Sequence, residues 1–373
     1  MITDRVMHIA LVSTTLDYAG AELQVVQLAK RMREKGHVVT VISLKSPVAS
    51  LVYELESFGV KVRSLGLDKV IMLPLALHKM LRAIEDDGYD IVHAHMVHAN
   101  IFSRIARILK PSFPLICTIH STNEGGFFRD FLYRVTRPLS SLDTGVSKAV
   151  KDRFLSVKAV SDECRVVYNG INLSHFSIDS ASRESTKRTE FTWLAIGRFH
   201  WQKDYSNLIN AFALLNSVRS DWRLLIVGYG EEETVIRNLI EQKGLVESIH
   251  LVGKQQDVRP WYAKADAFVS SSVEEGYGLV VAEALACQLP VVATESGGPS
   301  EILGRDGSVG ILVPVQDAQA LSSALTELMA IPKDERMVMG QKGRKKVLAE
   351  FSLDEIVSQW LDIYQSVLPK KAC

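Results

Sequence analysis

Short apolar runs alternate with longer helical patterns along most of the chain. In the first half, MHIALVS (7–13), HVVTVIS (37–43) and DIVHAH (90–95) are rich in valine, isoleucine and alanine, and they predict strands. The stretch AELQVVQLAKRMREKG (21–36) has apolar residues at helical spacing and ends in glycine. This alternation indicates βα units and parallel sheets that are covered by helices on both faces.

The alternation is interrupted at residues 177–190, SIDSASRESTKRTE, which are polar, serine-rich and without apolar period. It resumes with a predicted strand, FTWLAIG (191–197). A length of 373 residues also exceeds what one hydrophobic core usually supports. We therefore predict one Rossmann-like domain over 1–176, a linker over 177–190 and a second Rossmann-like domain over 191–352. Two doubly wound sheets in tandem predict a crevice at their strand ends, where such sheets bind ligands.

Composition narrows the class of protein. Hydrophobic residues make up 47% and charged residues 23%, as in ordinary globular proteins. The four cysteines are scattered without a C-x-x-C pair, which argues against a zinc site or a disulfide framework. Acidic and basic residues are equal in number, so we do not expect nucleic-acid binding. The N-terminal residues lack a signal-peptide pattern, and we expect a cytoplasmic protein.

The segment 271–294, SSVEEGYGLVVAEALACQLPVVAT, carries the first candidate chemistry. Gly276 and Gly278 allow the backbone to approach a ligand closely, and the predicted helix start after them favours an anion such as phosphate. Glu283 within that helix suits the diol of a ribose, whereas Glu275 before it suits a neutral polyol. The segment therefore predicts a nucleotide-sugar site. The alternative is an ordinary turn with two solvated surface acids.

Three further loops contain candidate ligand groups. In IGRFHWQKDY (196–205), Arg198 and Lys203 suit a diphosphate, the first by its planar fork and the second as a point charge. Gly20 precedes a predicted helix start, and His120 ends a predicted strand. The alternatives are two surface cations, a simple tight turn and a buried, hydrogen-bonded histidine, respectively.

Taken together, these segments resemble a known family. The matching pieces, in chain order, are AGAELQVVQLAKRMREKGHVVTVIS (19–43), VYNGINLSHF (167–176), GRFHWQK (197–203), GYGEEETVI (228–236), EGYGLVVAE (275–283) and SGGPSEIL (296–303). They are similar to the family 4 retaining glycosyltransferases, also called glycosyl transferases group 1, which have the GT-B fold. The resemblance implies an α/β protein of two doubly wound Rossmann-like domains facing across a crevice. The first would bind the acceptor and the second the nucleotide-sugar donor.

The resemblance also implies roles for individual residues. Arg198 and Lys203 would bind the donor diphosphate, and Glu283 the ribose hydroxyls. Glu275 would hold the donor sugar, and His120 would touch that sugar. The remaining donor-binding positions would be Gly20, near the diphosphate, and the loop residues Gly276, Tyr277, Gly278, Leu279 and Val280, through their backbone. A C-terminal helix within 353–373 would pack back on the first domain.

The chain departs from the family pattern at two positions. Ala19 replaces the first glycine of the GGAE sequence that is usual in the family. Gln288 stands where the family often has glycine, at the end of its EA-x-A-x-G pattern. No D-x-D triplet of the kind that chelates a metal with a nucleotide sugar is present in the sequence. No carboxylate of the first domain stands out as a covalent nucleophile. The resemblance implies front-face transfer with retention. We expect neither a metal nor another cofactor, the nucleotide sugar being a substrate.

Two segments of the first domain resemble basic amphipathic helices that lie on anionic membranes. They are NIFSRIARILK and FFRDFLYRVTRPL, and their basic residues are Arg104, Arg107, Lys110, Arg129, Arg134 and Arg137. The alternative is that each apolar stripe is core and each basic face is solvated. If the two helices do lie on a membrane, the protein is a peripheral protein on the cytoplasmic face of the inner membrane.

These observations lead to one functional expectation and three alternatives. We expect a retaining glycosyltransferase that moves a sugar from a nucleotide sugar, with UDP favoured, to a glycan acceptor. That acceptor would be a lipid-linked intermediate of bacterial surface polysaccharide synthesis, such as a polyprenyl-diphosphate-linked glycan. The alternatives are a soluble transferase to a small-molecule acceptor, a non-catalytic nucleotide-sugar-binding protein and a UDP-sugar epimerase without an acceptor.

Overall fold

The computed structural model describes residues 5–177 and 190–369. The chain divides into two compact units, one running to Gly170 and resuming at Leu353, and the other comprising Ile171–Ser352. Apart from its first and last residues, the predicted linker lies outside the described residues.

The first unit contains, among its described residues, one parallel sheet of seven strands. These strands are β1 (His8–Ser13), β2 (Val38–Ser43), β3 (Lys61–Ser64), β4 (Ile91–His95), β5 (Leu115–Ile119), β6 (Leu142–Gly145) and β7 (Arg165–Val166). Their order in the sheet is β3-β2-β1-β4-β5-β6-β7, which places β4 between β1 and β5. The carboxyl ends of β1, β4 and β5 therefore lie side by side.

Helices cover both faces of this sheet. They are α1 (Gly20–Glu34), α2 (Ala49–Ser57), α3 (Leu73–Asp87), α4 (Val97–Leu109), α5 (Phe127–Thr136) and α6 (Lys148–Ser156). One hydrophobic cluster joins β1 to α1 through residues such as Ile9 and Val25. A second joins β4 to α3 and α4 through residues such as Met80 and Phe102. The continuous apolar strands noted in the sequence are thus buried on two sides, as a parallel sheet requires.

The second unit repeats this architecture. Its described strands are β8 (Phe191–Ile196), β9 (Trp222–Val227), β10 (Ile249–Gly253), β11 (Ala267–Ser270), β12 (Val291–Thr294) and β13 (Gly310–Val313). They form a parallel sheet in the order β10-β9-β8-β11-β12-β13, so the strand order reverses between β8 and β11. In doubly wound sheets, ligands bind at the carboxyl ends of the strands next to such a reversal.

The helices of the second unit follow in the expected alternation. They are α7 (Tyr205–Asn216), α8 (Glu233–Gln242), α9 (Arg259–Lys264), α10 (Leu279–Ala286), α11 (Gly298–Leu303), α12 (Ala318–Ala330) and α13 (Lys333–Glu350). Aromatic residues fill the core of this unit, among them Trp193, Phe212 and Trp222. Both units are therefore Rossmann-like α/β domains.

The last helix, α14 (Leu353–Val367), belongs to the first unit. Its buried Trp360 lies in the same hydrophobic cluster as α1, and Arg31 Nε of α1 donates to Asp354 Oδ1 at 2.6 Å. Residues 171–176, which the sequence analysis placed in the first domain, are bonded to the second unit instead. Ile171 N donates to Phe351 O at 2.8 Å, and Arg344 Nη1 donates to Phe176 O at 3.0 Å.

The two departures from the family pattern have different structural consequences. Gln288 has φ +59°, in the left-handed region where glycine is normally favoured. Ala19 has φ −123°, which is ordinary extended backbone, so a side chain is tolerated there. The replacement at 288 therefore strains the turn after α10, whereas the replacement at 19 does not strain the start of α1.

Helix α4 does not offer the basic membrane face that the sequence predicted. Arg104 is fully buried, and its Nη2 donates to Asp143 Oδ1 at 2.6 Å. Assigning Arg104 to a membrane contact is therefore wrong, because its charge is compensated inside the domain. Arg107 is half-buried and donates to Ser141 Oγ at 2.8 Å, and Lys110 lies 3.5 Å from a carboxylate oxygen of Glu85.

Helix α5 has the opposite arrangement, because its three phenylalanines face outwards while Tyr133 is buried. Phe127 is 86% exposed and Phe128 69% exposed, and Phe131 and Arg134 are also exposed. A second exposed apolar segment, which the sequence analysis did not identify, surrounds Val70–Met72 before α3. Among the described residues, no helix combines the length and apolar character needed to cross a bilayer.

Candidate active site

Lys203 and Glu275 meet at the carboxyl ends of β8 and β11. Lys203 ends a short 3₁₀ turn after β8, and its Nζ donates to Glu275 Oε1. The same carboxylate oxygen accepts from Ser272 Oγ at 2.9 Å. A Cβ on Gly197 would lie 3.2 Å from Lys203 Cε, so the glycine gives the lysine side chain room to cross the loop. The structure thus unites two candidate residues that stand 72 positions apart in the sequence.

Arg198 follows Gly197 on this loop, and its side chain is exposed. Its neighbour Phe199 is buried, and its backbone N–H donates to Tyr229 O at 2.7 Å. The backbone beside Arg198 is therefore held in place, and Arg198 stands on the same loop as Lys203. Two cationic side chains at one loop suit an anionic ligand.

The loop that carries Glu275 is held by the segment SGGPSE. Glu275 N donates to Ser296 O at 2.8 Å, and Gly298 N donates to Glu275 O at 3.2 Å. A Cβ on Gly298 would lie 2.1 Å from Tyr277 O, so no larger residue fits there without a backbone shift. Gly278 has φ +91° and would place a Cβ 2.9 Å from the Pro299 ring. These contacts explain why this region needs its glycines.

Helix α10 begins directly after Gly278. Its first residues, Leu279 and Val280, are half-buried, and their amide groups lie at the positive end of the helix dipole. Gly276 is half-buried as well. The Tyr277 side chain is buried, with its ring 6.1 Å from that of Phe351, so only its backbone can serve a ligand.

Glu283 lies in the second turn of α10 and is half-buried. Tyr262 OH of α9 donates to Glu283 Oε2 at 2.9 Å. Burial raises the pKa of Glu283 to about 7, although the tyrosine hydrogen bond works against this rise. Tyr262 was not among the predicted site residues, because nothing in DVRPWYAKA distinguishes it from a core aromatic residue.

In the first unit, Gly20 begins α1 after β1 and is exposed. The start of the helix is fixed by Thr15 Oγ1, which donates to Glu22 Oε1 at 2.8 Å. His120 follows β5, two strands away in the sheet. Gly20 and His120 therefore share one edge of the first sheet, with the end of β4 between them.

His120 is half-buried, and its Nε2 lies 3.1 Å from Nδ1 of His95. Burial lowers the pKa of His120 to about 4, so the ring is neutral near pH 7. The alternative interpretation, a hydrogen-bonded histidine, is thus observed, whereas contact of His120 with a donor sugar stays a prediction. Within the described residues, no cluster of three or more histidine, cysteine or acidic side chains is arranged to hold a metal ion.

A buried carboxylate, Glu124, lies next to His120, and the sequence analysis did not identify it. Its Oε1 accepts from His120 N at 3.2 Å, and its Oε2 accepts from Tyr133 OH at 2.6 Å. Burial raises its pKa to about 7. The hydrogen bonds fix the loop that carries His120. The only sequence signal was an acidic residue four positions after a candidate histidine.

Comparison with known proteins agrees with this geometry. The family model for Glycosyltransferase Family 4 matches residues 18–175, and the model for Glycosyl transferases group 1 matches residues 178–346. The chain is 27% identical to the N-acetyl-alpha-D-glucosaminyl L-malate synthase of Bacillus anthracis, over 92% of each chain. It is 29% identical to the phosphatidyl-myo-inositol mannosyltransferase of Mycobacterium leprae, over 93% of each chain.

A solved structure supports the fold. Anabaena Alr3699/HepE in complex with UDP has a TM-score of 0.84 at 21% identity, covering 96% of this chain and 100% of that chain. Family matches and structural similarity thus agree with the two Rossmann-like units described above. The chain belongs to the family 4 glycosyltransferases with the GT-B fold and is an enzyme of the hexosyltransferase type.

Proposed function

We propose that this enzyme transfers a hexosyl group, with retention of anomeric configuration, from a UDP-sugar to a glycan acceptor. The observation that carries the proposal is the arrangement of Lys203 and Glu275 at the start of α10, with Glu283 further along the same helix. The cation and the helix start suit the diphosphate of a nucleotide sugar, and the two carboxylates suit the hydroxyl groups of its ribose and its sugar. Arg198 on the neighbouring loop adds a second cation.

In this proposal the second unit binds the donor. Arg198, Lys203 and the first amides of α10 contact the diphosphate, because each supplies positive charge or N–H donors. Glu283 accepts hydrogen bonds from the ribose hydroxyls. Glu275 accepts from hydroxyls of the donor sugar while Lys203 and Ser272 hold its carboxylate in place. Gly276 to Val280 contribute through their backbone.

The chemical step follows from where charge develops. The bond between the anomeric carbon and the diphosphate oxygen breaks, and the acceptor oxygen attacks on the same face of the sugar. The acceptor proton passes to the departing diphosphate oxygen. Arg198 and Lys203 stabilise the negative charge on that oxygen, so the proposal requires neither a metal ion nor a covalent enzyme intermediate. His120 contacts the sugar.

UDP is the proposed carrier because the structural neighbour HepE was solved with UDP. A panel of UDP-, GDP- and ADP-sugars tests this, with and without extracted bacterial lipid-linked glycans as acceptors. We expect acceptor-dependent release of UDP by the wild-type enzyme and loss of that release in Glu275→Ala. Release of a different nucleotide would overturn the choice of UDP. Interconversion of the sugar without an acceptor would indicate an epimerase.

We further propose that the acceptor is lipid-linked and that α5 contacts the membrane. Phe127, Phe128 and Phe131 are exposed on one helix together with Arg134, and such a surface suits anionic lipids. The relative from Mycobacterium leprae is named as a phosphatidyl-myo-inositol mannosyltransferase, which supports a lipid acceptor.

Co-sedimentation with vesicles of phosphatidylglycerol tests the membrane proposal. We expect the wild-type enzyme to bind at low salt and the double variant Phe127→Ser, Phe128→Ser to bind much less. The matched control is Val218→Ser in the second unit, where the native side chain is 72% exposed. Equal binding by all three proteins, or no binding by the wild type, would contradict the proposal.

A second candidate is a soluble transferase to a small acceptor. It is favoured by the relative from Bacillus anthracis, whose name specifies malate as the acceptor moiety. On this alternative, nucleotide release in the panel would depend on added small hydroxy acids rather than on lipid-linked glycans. Nucleotide-sugar binding without release under any condition would indicate a non-catalytic binding protein.

A further inference from the structure

His95 lies at the carboxyl end of β4, between the strands whose ends carry Gly20 and His120. Its side chain is buried, and its Nδ1 is 3.1 Å from Nε2 of His120. The two rings are 5.3 Å apart. His120 is only half-buried, so its ring joins the buried His95 to the surface of the domain.

The other ring nitrogen of His95, Nε2, is buried and has no hydrogen-bond partner among the described residues. The adjacent ring of His93 is tilted by 36° against that of His95, with the ring centroids 4.0 Å apart, and both of its nitrogens are engaged elsewhere. Its Nδ1 is 2.7 Å from Tyr364 OH, and its Nε2 is 2.6 Å from Thr118 Oγ1. Within the described chain, the imidazole of His95 therefore hydrogen-bonds to His120 alone.

The unpartnered nitrogen indicates the direction of the hydrogen bond between the two rings. Burial lowers the pKa of both histidines, so each ring is neutral and has one N–H. If His120 donated, His95 would bury an N–H without an acceptor. If His95 donates from Nδ1, its Nε2 is a bare acceptor, and among backbone groups unpaired buried acceptors are less rare than unpaired N–H groups. The second arrangement places the proton of His120 on Nδ1.

The backbone after His95 is strained and firmly held. Met96 has φ +71° and ψ 158°, a region that is otherwise almost restricted to glycine. Its N–H donates to Thr118 O at 3.2 Å, and Asn100 Nδ2 donates to the same oxygen at 2.9 Å. These bonds tie the end of β4 to β5, directly before His120. Strain of this kind persists where its surroundings enforce it, and it is concentrated at active sites.

We infer that His95 is a positioning residue that fixes His120 as the tautomer with its proton on Nδ1, which makes that N–H available to a hydroxyl oxygen of the donor sugar. The inference rests on the proposed function, in which His120 touches the sugar. His95 is buried and acts through His120 rather than on the substrate.

Two substitutions at His95 separate this role from simple packing. His95→Asn keeps an N–H donor close to the position of Nδ1, whereas His95→Phe keeps the ring and removes the donor. We expect His95→Phe to lower kcat/KM about 10-fold, the effect of losing one hydrogen bond of ordinary strength. His95→Asn should restore most of that loss. The matched control is His98→Phe, at an exposed histidine of α4, which should behave like the wild type.

A His120→Ala background supplies the coupling test. If His95 acts through His120, His95→Phe costs nothing further once His120 is gone. An equal cost in both backgrounds would overturn the inference, as would a His95→Asn variant no more active than His95→Phe. Both variants are compared after their folding has been verified by circular dichroism.

The tautomer itself is measurable without activity. Long-range ¹H–¹⁵N correlation spectra of histidine-labelled enzyme distinguish protonated from bare ring nitrogens, and the His120→Ala variant assigns the signal. We expect protonated Nδ1 and bare Nε2 at His120 in the wild type, and the opposite tautomer or a mixture in His95→Phe. Protonated Nε2 in the wild type would overturn the inference even if transfer is established. Absence of transfer would instead defeat the proposed function and leave the spectral result valid.

Discussion

Replacing Glu283 by glutamine should remove a specific pH dependence of donor binding. The pKa of Glu283 is raised from 4.5 to about 7 by burial. A raised pKa means that the carboxyl group is protonated below pH 7 and charged above it. In the proposed donor complex, a charged carboxylate would accept both ribose hydrogen bonds, whereas a protonated carboxyl group would accept less well. Donor affinity should therefore rise as the pH increases through 7 and then level off.

The magnitude follows from the ionised fraction. At pH 5.5, about 3% of a group with a pKa of 7 is ionised, which limits the loss of affinity to about 30-fold relative to pH 8.5. A charge-assisted hydrogen bond exceeds a neutral one by about 1 kcal/mol. Two such bonds to the ribose are worth about 2 kcal/mol, or again about 30-fold. Glu283→Gln cannot ionise, so its affinity should be weaker at pH 8.5 and similar to the wild type at pH 5.5.

Isothermal titration calorimetry with UDP-glucose between pH 5.5 and 8.5 measures this affinity. This ligand is preferred over UDP, because its diphosphate is doubly esterified and has no second ionisation in that range. The control is Glu241→Gln, at an exposed position of α8, which should keep the wild-type profile. Glu124 also has a pKa of about 7, so any dependence that remains in Glu283→Gln is attributed to other groups. A wild-type affinity that varies less than about twofold would refute the reasoning.

Three further predictions concern the loops and helix contacts of the second unit. Arg198→Ala and Lys203→Ala should each lower kcat on the order of 10² to 10³-fold, as for loss of other preorganised donors, and near-normal transfer rates would remove that role. Gly340→Ala should lower the free energy of unfolding by about 2 kcal/mol, because its Cβ would lie 2.1 Å from a backbone oxygen. Gly343→Ala should cost less in the same urea unfolding experiment, since its Cβ meets the movable end of a leucine at 2.8 Å, and the reverse order would contradict this argument. Gln288→Gly should raise the midpoint of thermal unfolding by relieving the left-handed strain, and an unchanged or lower midpoint would show that the strain is offset elsewhere.

Much of the fold could be predicted from the chain, because parallel sheets bury their strands on two sides and leave a strong apolar signal. The strand at 191–197 was predicted within one residue of β8, Phe191–Ile196, and helix LVVAEALA coincides with α10. The candidate donor-binding residues could be identified from the sequence for a related reason. The glycines that permit close backbone contacts stand directly before a helix start, so the pattern lies within a short stretch of the sequence.

The sequence by itself could not decide which face of an amphipathic helix finds a partner. NIFSRIARILK and FFRDFLYRVTRPL have the same kind of basic and apolar pattern, yet α4 buries its Arg104 and α5 exposes its phenylalanines. The difference depends on Asp143, which lies 39 positions away and compensates the charge of Arg104. A helical period in the sequence predicts an apolar stripe along a helix, but only the neighbouring elements determine whether that stripe is buried in the core.

The same limit applies to the groups around His120. The sequence determined the two Rossmann-like units, the glycine-dependent loops and the positions of Lys203, Glu275 and Glu283. Only the tertiary structure brought Lys203 to Glu275, buried Glu124 beside His120 and placed His95 against its ring. Such contacts join side chains at the ends of neighbouring parallel strands, which are separated in the chain by whole helices. The sequence therefore contains no short-range spacing from which these contacts could be predicted.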